Sequence, residues 1–181
     1  MTITVSTEDP RNPDMAKILQ THLDFCRAVT PVGFSFALDL SKLVSPDITV
    51  FGARIDGELV GVGAIRILDK EHAELKSMHT LANYRGNGVG SAMVDHITAY
   101  AKEKGMKRLS LETGAKESYK AARDLYEKMG FTYCDAFGDY TLGLWSPQVS
   151  GLDSTHDLSR TSSQTHGMGE SKSLFGSGKS S

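Results

Sequence analysis

Two cysteines, Cys26 and Cys134, are all that the 181 residues contain. They are too few and too far apart for a disulfide framework or a zinc site, and both are expected to serve as small buried hydrophobes. An excess of one charge is lacking too. Lys and Arg number 20 against 22 Asp and Glu, a net -2, so nothing draws the chain to nucleic acid or to an anionic membrane. No apolar run approaches the roughly 18 residues of a membrane span. The opening Met1-Thr2-Ile3-Thr4-Val5 has neither the basic region nor the hydrophobic core of an export signal. A cytoplasmic protein of one ordinary-sized domain with a tail is expected.

The chain reads as an alternation of strands and helices. Residues 3–6 suit a short edge strand. Asn12-Pro13-Asp14 opens a helix, with Pro in the first turn and an acid at the positive end of the dipole. Met15, Ile18, Leu19, His22, Leu23 and Cys26 recur at helical spacing along it, and Phe25 widens the stripe. A short helix is expected over residues 38–44. Strands at 48–55 and 59–67 flank Asp56-Gly57, a hairpin turn. Gly61 and Gly63 lower strand propensity and point to a bend or a close neighbour. A third strand over 73–81 completes an antiparallel run. A helix over 89–104 ends at Gly105 behind Lys102 and Lys104. A strand through Glu112 is expected to lie parallel to its predecessor, because the connection is long enough for a right-handed crossover. A last helix carries Ala121, Ala122, Leu125, Tyr126 and Met129, and a last firm strand is expected over 131–137. From residue 146 Ser, Thr, Gly and His dominate without a sustained period. Residues 146–181 are therefore expected to be a disordered tail, and 1–145 the domain.

The stretch that carries chemistry is Tyr84-Arg85-Gly86-Asn87-Gly88-Val89-Gly90-Ser91. Three glycines at alternate positions uncover a row of backbone N–H groups, and the following helix aims its N-terminal donors at the same point. Such a place suits a phosphate or diphosphate, and Arg85 adds a charged fork. A tight strand-to-helix turn would look similar. The dinucleotide fingerprint has a different glycine spacing. Gly178-Lys179-Ser180 lacks the earlier glycine of a nucleotide-triphosphate loop, since position 173 is Ser173.

Two blocks together resemble the GCN5-related N-acetyltransferase (GNAT) superfamily. Arg85-Gly86-Asn87-Gly88-Val89-Gly90 matches the Gln/Arg-x-x-Gly-x-Gly/Ala motif. Ala122-Arg123-Asp124-Leu125-Tyr126-Glu127-Lys128-Met129-Gly130-Phe131 matches the helix signature Ala-x-x-Leu-Tyr-x-x-x-Gly-Phe at the family's separation. Glu74-Leu75-Lys76-Ser77-Met78, Leu109-Ser110-Leu111-Glu112-Thr113-Gly114 and Phe137-Gly138-Asp139-Tyr140 look like a bacterial-type branch of small acetyltransferases. The resemblance implies an α/β (α+β) GNAT fold. Its mixed, mostly antiparallel sheet is flanked by helices, with a V-shaped splay between the fourth and fifth strands.

The same resemblance implies acetyl-coenzyme A as cofactor and a small-molecule or amino-acid-like amine as acceptor, with direct attack in a ternary complex. The coenzyme's pantetheine arm would meet the backbone of Met78 and Thr80. Its pyrophosphate would rest on Arg85, Gly86, Asn87, Gly88, Val89 and Gly90, extended by Ser91. Tyr126 would be the general acid to the leaving thiolate. Glu74 and Glu112 are the carboxylates available as general base, with His79 a third choice. Strand alternation places Glu74 with Met78 and opposite His79 unless a bulge intervenes. A backbone N–H of Met78 or His79 would meet the oxyanion. Phe34, Phe36, Asp39, Asp139 and Tyr140 are expected around the acceptor. The helix motif often begins with Asn three residues before its Ala, where Tyr119 stands here.

In relatives a final apolar strand follows Phe-Gly-Asp-Tyr and inserts beside the strand ending at Glu112. Here Gly143 and Pro147 interrupt the run, and Val149 and Leu152 do not alternate. The last strand is expected to be atypical or missing. The competing reading is a catalytically silent acyl-coenzyme A-binding or interaction protein with an altered C-terminus, as monomer or homodimer.

Overall fold

The computed structural model describes residues 2–30, 38–138 and 148–151. Strands β1 (Ile3–Thr7), β2 (Ile48–Ile55), β3 (Glu58–Ile67), β4 (His72–Thr80), β5 (Arg108–Glu112), β6 (Thr132–Tyr133) and β7 (Gln148–Gly151) form one sheet in the order β1-β2-β3-β4-β5-β7-β6. All neighbours are antiparallel except β4 and β5. The helices are α1 (Pro13–Val29), α2 (Leu40–Leu43), α3 (Val89–Glu103) and α4 (Lys120–Lys128). None of the helices among the described residues is long and apolar enough to cross a membrane.

The helices divide between the two faces, and the apolar periods decide which. Val89, Met93 and Ile97 of α3 pack with Phe51, Leu75, Leu109 and Leu111, and Tyr126 of α4 joins them. Met15, Ile18 and Leu19 of α1 pack on the opposite face with Leu43, Val50, Val62 and Ala64. The expected close neighbour of Gly61 and Gly63 is α3 itself. A Cβ on Gly61 would stand 2.8 Å from Val89, and one on Gly63 2.9 Å from both Met93 and Ile97. Two bare positions in β3 thus let the helix behind the glycine loop lie close against the sheet. At its start α1 is held by Arg54, which donates to Glu8 at 2.6 Å and to Asp14 at 2.8 Å.

Two irregularities in β4 create the site. Pairing with β5 covers only His72↔Arg108, Ala73↔Leu109 and Glu74↔Ser110. Beyond Glu74 the strands part, and among the described residues no strand pairs with that side of β4. This is the expected splay. Pairing with β3 then slips between Val62 and Ala64, opposite Ser77, whose φ is +54°. The bulge inverts the alternation. Leu75 and Met78 both pack towards α3, while His79 turns to α1, where its ring meets those of His22 and Phe25. His79 therefore shares a face with Lys76 and Glu74, and the simple alternation that set it opposite Glu74 does not hold.

The C-terminal strands are atypical, as expected, but in two particulars they differ from expectation. The strand expected over 131–137 is only Thr132–Tyr133, because its partner β7 is itself four residues long and offers pairs to those two alone. β7 lies beyond the expected boundary at residue 145, inside the segment read as a tail. It fills the place between β5 and β6, with Leu111 opposite Val149 and Ser110 opposite Ser150. An unpaired edge along β5 would leave backbone groups unsatisfied, and four residues suffice to pair it. Gly151 brings its backbone against the ring of Phe131, 3.5 Å from an added Cβ. Phe34, Phe36, Asp139 and Tyr140, with residues 141–147 and 152–181, lie outside the described residues. Cys26 is buried as expected, whereas Cys134 is only half-buried.

Candidate active site

A cavity of about 470 Å³ opens where β4 and β5 part, lined from both faces of the sheet. One wall is the glycine loop and the first turn of α3. Another is α4 with Leu125 and Tyr126, and a third comes from α1 and β4 on the opposite face. Of the residues expected to hold a coenzyme, Met78, Thr80, Arg85, Gly86, Gly88, Val89, Gly90 and Ser91 line it; Asn87 does not.

The loop is built for backbone donors. Gly86 and Gly88 have φ of +78° and +84°, conformations that cost side-chain-bearing residues free energy. Gly88 is the N-cap of α3, and no side chain caps the helix there. The first N–H groups of α3 consequently have no intrahelical acceptor and face the cavity mouth. Arg85 is exposed beside them and donates to the Thr80 carbonyl at 3.2 Å.

Tyr126 is 5% exposed and lines the cavity. Its ring lies 5.8 Å from that of Phe131, and among the described residues nothing hydrogen-bonds its hydroxyl. Burial, and next the charge of Glu112, raise its pKa well above the ordinary phenol value. The hydroxyl therefore stays protonated throughout the neutral range and is a donor in search of an acceptor. The two expected carboxylates stand back. Glu74 is buried at 2% exposure and accepts from Lys76 Nζ at 2.8 Å. Glu112 closes β5 and acts through its field on Tyr126, Tyr119 and Cys26. Neither lines the cavity. Asp39 caps α2 by accepting from the Lys42 backbone N–H at 3.1 Å.

The third wall holds residues that sequence reasoning passed over. His22 and Phe25 looked like core positions of α1, and Tyr119 like a lost Asn. Their rings form a continuous series with His79: His22 to His79 at 5.6 Å, His79 to Phe25 at 6.3 Å, Phe25 to Tyr119 at 5.6 Å. All four line the cavity. Burial lowers both histidines to about 4, aided by Arg85 on His79 and by His79 and Lys76 on His22, so both rings are neutral at pH 7. Tyr119 shares a hydrogen bond of 2.9 Å with Thr30, and burial pushes its phenol up to about 12. The signal available in sequence was the i, i+3 pair His22 and Phe25 on the wide edge of the apolar stripe.

Comparison with known proteins agrees with this geometry. The profile of the acetyltransferase (GNAT) family matches residues 15–131. Among curated proteins, the uncharacterized N-acetyltransferase YedL of Escherichia coli (strain K12) is 38% identical over 139 residues, 77% of this chain and 87% of its own. YsnE of Bacillus subtilis (strain 168), also an uncharacterized N-acetyltransferase, is 39% identical over 136 residues, 75% of this chain and 90% of its own. Among solved structures, a protein of Klebsiella pneumoniae assigned to the acyl-CoA N-acyltransferases superposes with a TM-score of 0.70 at 25% identity, over 82% of this chain and 96% of that one. A GNAT family acetyltransferase from Elizabethkingia anophelis, with acetyl-CoA bound, has the same fold at a TM-score of 0.62 and 17% identity, over 82% of this chain and 96% of that one. With the glycine loop, the splayed strands and the matched profile in agreement, the chain belongs to the acetyltransferase (GNAT) family of acyl-coenzyme A-dependent N-acyltransferases.

Proposed function

We propose that this chain transfers an acetyl group from acetyl-coenzyme A to a primary amine of a small molecule by direct attack within a ternary complex. The observation that carries the reading is one cavity that crosses the open β4–β5 gap, joining the glycine loop on one face to the ring-lined wall on the other. The residues present fit the coenzyme. The uncapped start of α3, the positive-φ glycines and Arg85 suit its pyrophosphate, and the open side of β4 from Met78 to Thr80 suits its extended arm. When bound, it supplies an acetyl thioester, so that a C–N bond forms, a C–S bond breaks, the amine gives up a proton and the sulfur leaves as a thiol.

Tyr126, protonated and without a partner among the described residues, donates to the departing sulfur. A backbone N–H of Met78 or His79, turned by the bulge at Ser77, meets the developing oxyanion. The proton of the amine passes to His79, which alone among the three expected acceptors lines the cavity and is neutral at pH 7. Burial, and next the charge of Glu112, keep Tyr126 in its donor form, and Glu74, held by Lys76, supports the strand face behind His79.

Calorimetry and a thiol-release assay test this together. Acetyl-coenzyme A is expected to bind at one site per chain, about tenfold more weakly in Arg85→Ala. Tyr126→Phe is expected to bind it normally and to lose about a hundredfold in kcat. Absence of binding in the folded wild-type chain would refute the reading. Binding without turnover across a broad amine panel would mark a coenzyme-binding protein without transferase activity.

A further inference from the structure

The acceptor side of the cavity has a chemical character of its own. Its wall is four rings in contact, from α1 (His22, Phe25), β4 (His79) and the turn before α4 (Tyr119). The wall is also fixed in place. Tyr119 is tied to Thr30 at 2.9 Å and its ring packs directly on Gly114, where an added Cβ would come within 2.7 Å even of ring atom Cγ. Arg123 pins the loop beneath it by donating to the carbonyls of Gly114 at 2.6 Å and Lys116 at 2.8 Å. Such a rigid wall, its neighbouring ring planes tilted by 55–69°, offers both ring faces and ring edges for offset or edge-to-face contact with another ring.

Charge narrows the choice further. Among the described residues that line the cavity, the charged ones are Arg85 and Lys128, and there is no carboxylate. Lys76, paired with Glu74 on the same face as His22, adds to the positive field at that ring, while the charge of Glu112, outside the lining, reaches Tyr119 and Tyr126. An alkylammonium or polyamine would find no carboxylate among those described lining residues to pair it at contact, which is a costly way to bury a cation. Histidines that stay neutral in this field would also be poor acceptors for the proton of a strongly basic amine, since the proton would have to move several pKa units uphill. An amine attached directly to an aromatic ring, its lone pair partly drawn into that ring, is uncharged at neutral pH and avoids both costs.

We infer that the acceptor is a flat, weakly basic aromatic amine that enters uncharged and seats its ring against Phe25 and Tyr119, with its nitrogen towards His79. The inference rests on the acetyl-transfer reading above and narrows its substrate class.

The test uses the full chain in two steps. Acetyl-coenzyme A binding is measured first, by calorimetry. Acceptor binding to the coenzyme A complex is then measured by saturation-transfer NMR, and turnover by thiol release. The probes are aniline, 4-aminobenzoate, 2-aminofluorene, tryptamine, spermidine and leucine. The expected result is binding and acetylation of at least one of the three ring-attached amines, with kcat/KM at least about tenfold above those of tryptamine, spermidine and leucine. Phe25→Leu, which keeps an apolar side chain on α1, is expected to raise the aromatic amine's KM about three- to tenfold with little change in kcat. Tyr119→Phe, which keeps the ring, is expected to change KM less than Tyr119→Leu. Acetylation of spermidine, tryptamine or leucine in preference to all three ring-attached amines would overturn the inference and leave acetyl transfer standing. Saturation transfer to none of the ring-attached amines would likewise overturn it. Failure of acetyl-coenzyme A to bind would overturn both readings.

Discussion

Replacing Gly114 by Ala is the sharpest test of the wall that Tyr119 provides. Gly114 does not have a positive φ, so alanine meets no backbone penalty there; the whole cost comes from the ring above. The new methyl carbon would lie 2.7 Å from ring Cγ and nearer still to Cδ2 and Cε2, where unstrained carbon pairs sit at about 3.5–4.0 Å. The ring must therefore retreat by about 1 Å or more. Retreat of the loop is opposed by Arg123, whose guanidinium holds the carbonyls on both sides of Ala115. A displaced ring stretches the hydrogen bond to Thr30, worth about 1 kcal/mol, and the edge contact with Phe25, worth about 0.5–1.5 kcal/mol. Overpacking adds about 1–3 kcal/mol. Because the clash relaxes at the expense of these contacts, the total is about 2–4 kcal/mol, a fall in Tm of about 5–12 °C for a domain of this size.

The assay is a thermal or urea melt of four proteins: wild type, Gly114→Ala, Tyr119→Ala and the double variant. With the ring gone the methyl has room, so Gly114→Ala should cost less than about 0.5 kcal/mol in the Tyr119→Ala background. An equal cost in both backgrounds, or a wild-type Tm for Gly114→Ala, would refute the placement of Tyr119 over the loop. Without that placement the acceptor wall would not be rigid.

Three other outcomes are expected. His22 and His79 are lowered from 6.5 to about 4, so between those values the unfolded chain binds protons that the fold refuses. Their stabilisation is complete above pH 6.5 and is lost as pH falls towards 4, by up to about 3 kcal/mol for the deeply buried His22 and by less for the more solvent-screened His79; urea midpoints measured from pH 7 to pH 4 should fall, and His79→Phe should flatten the slope. Gly88→Ala forces a side chain into φ +84° at the start of α3 and should cost about 1 kcal/mol or more while weakening acetyl-coenzyme A binding in calorimetry. A chain ending at residue 151 should unfold cooperatively, whereas one ending at 145 loses β7 and the only bridge from β5 to β6 among the described residues; equal urea midpoints for the two would contradict the strand's role.

Much of this was legible in the sequence because it is carried by local chemistry. Alternate glycines at 86, 88 and 90, an apolar line through Val89, Met93 and Ile97, and Asp56-Gly57 between two β-rich runs each specify an element without reference to the rest of the chain. The crossover before β5 followed from connection length alone. The C-terminal strand was illegible for the opposite reason. Gln148-Val149-Ser150-Gly151 has no period or propensity that marks a strand, and it becomes one because β5 and β6 leave a vacant lane between them, with backbone pairing on both sides. A tertiary demand of that kind overrides weak local preference.

The bulge in β4 is the case with consequences for chemistry. Nothing in Lys76-Ser77-Met78 announces it: Ser77 is an ordinary residue with φ +54°, and its hydroxyl is buried without a hydrogen-bond partner among the described residues. Read with unbroken alternation, β4 offers Met78 and Glu74 to one face and His79 to the other. With the bulge, Met78 joins the α3 side while His79 joins His22 and Phe25 beneath α1. That single extra residue moves the imidazole to the face where the rings gather and leaves the thioether beside the glycine loop. An unfavourable backbone conformation and an orphan hydroxyl at one position are the kind of local cost that persists where the surrounding structure fixes it. Here what it secures is access from both faces of the sheet to one cavity. On the proposed reading, two reactants approach a single point from opposite sides, the coenzyme over α3 and the amine under α1, which is the geometry that direct transfer requires.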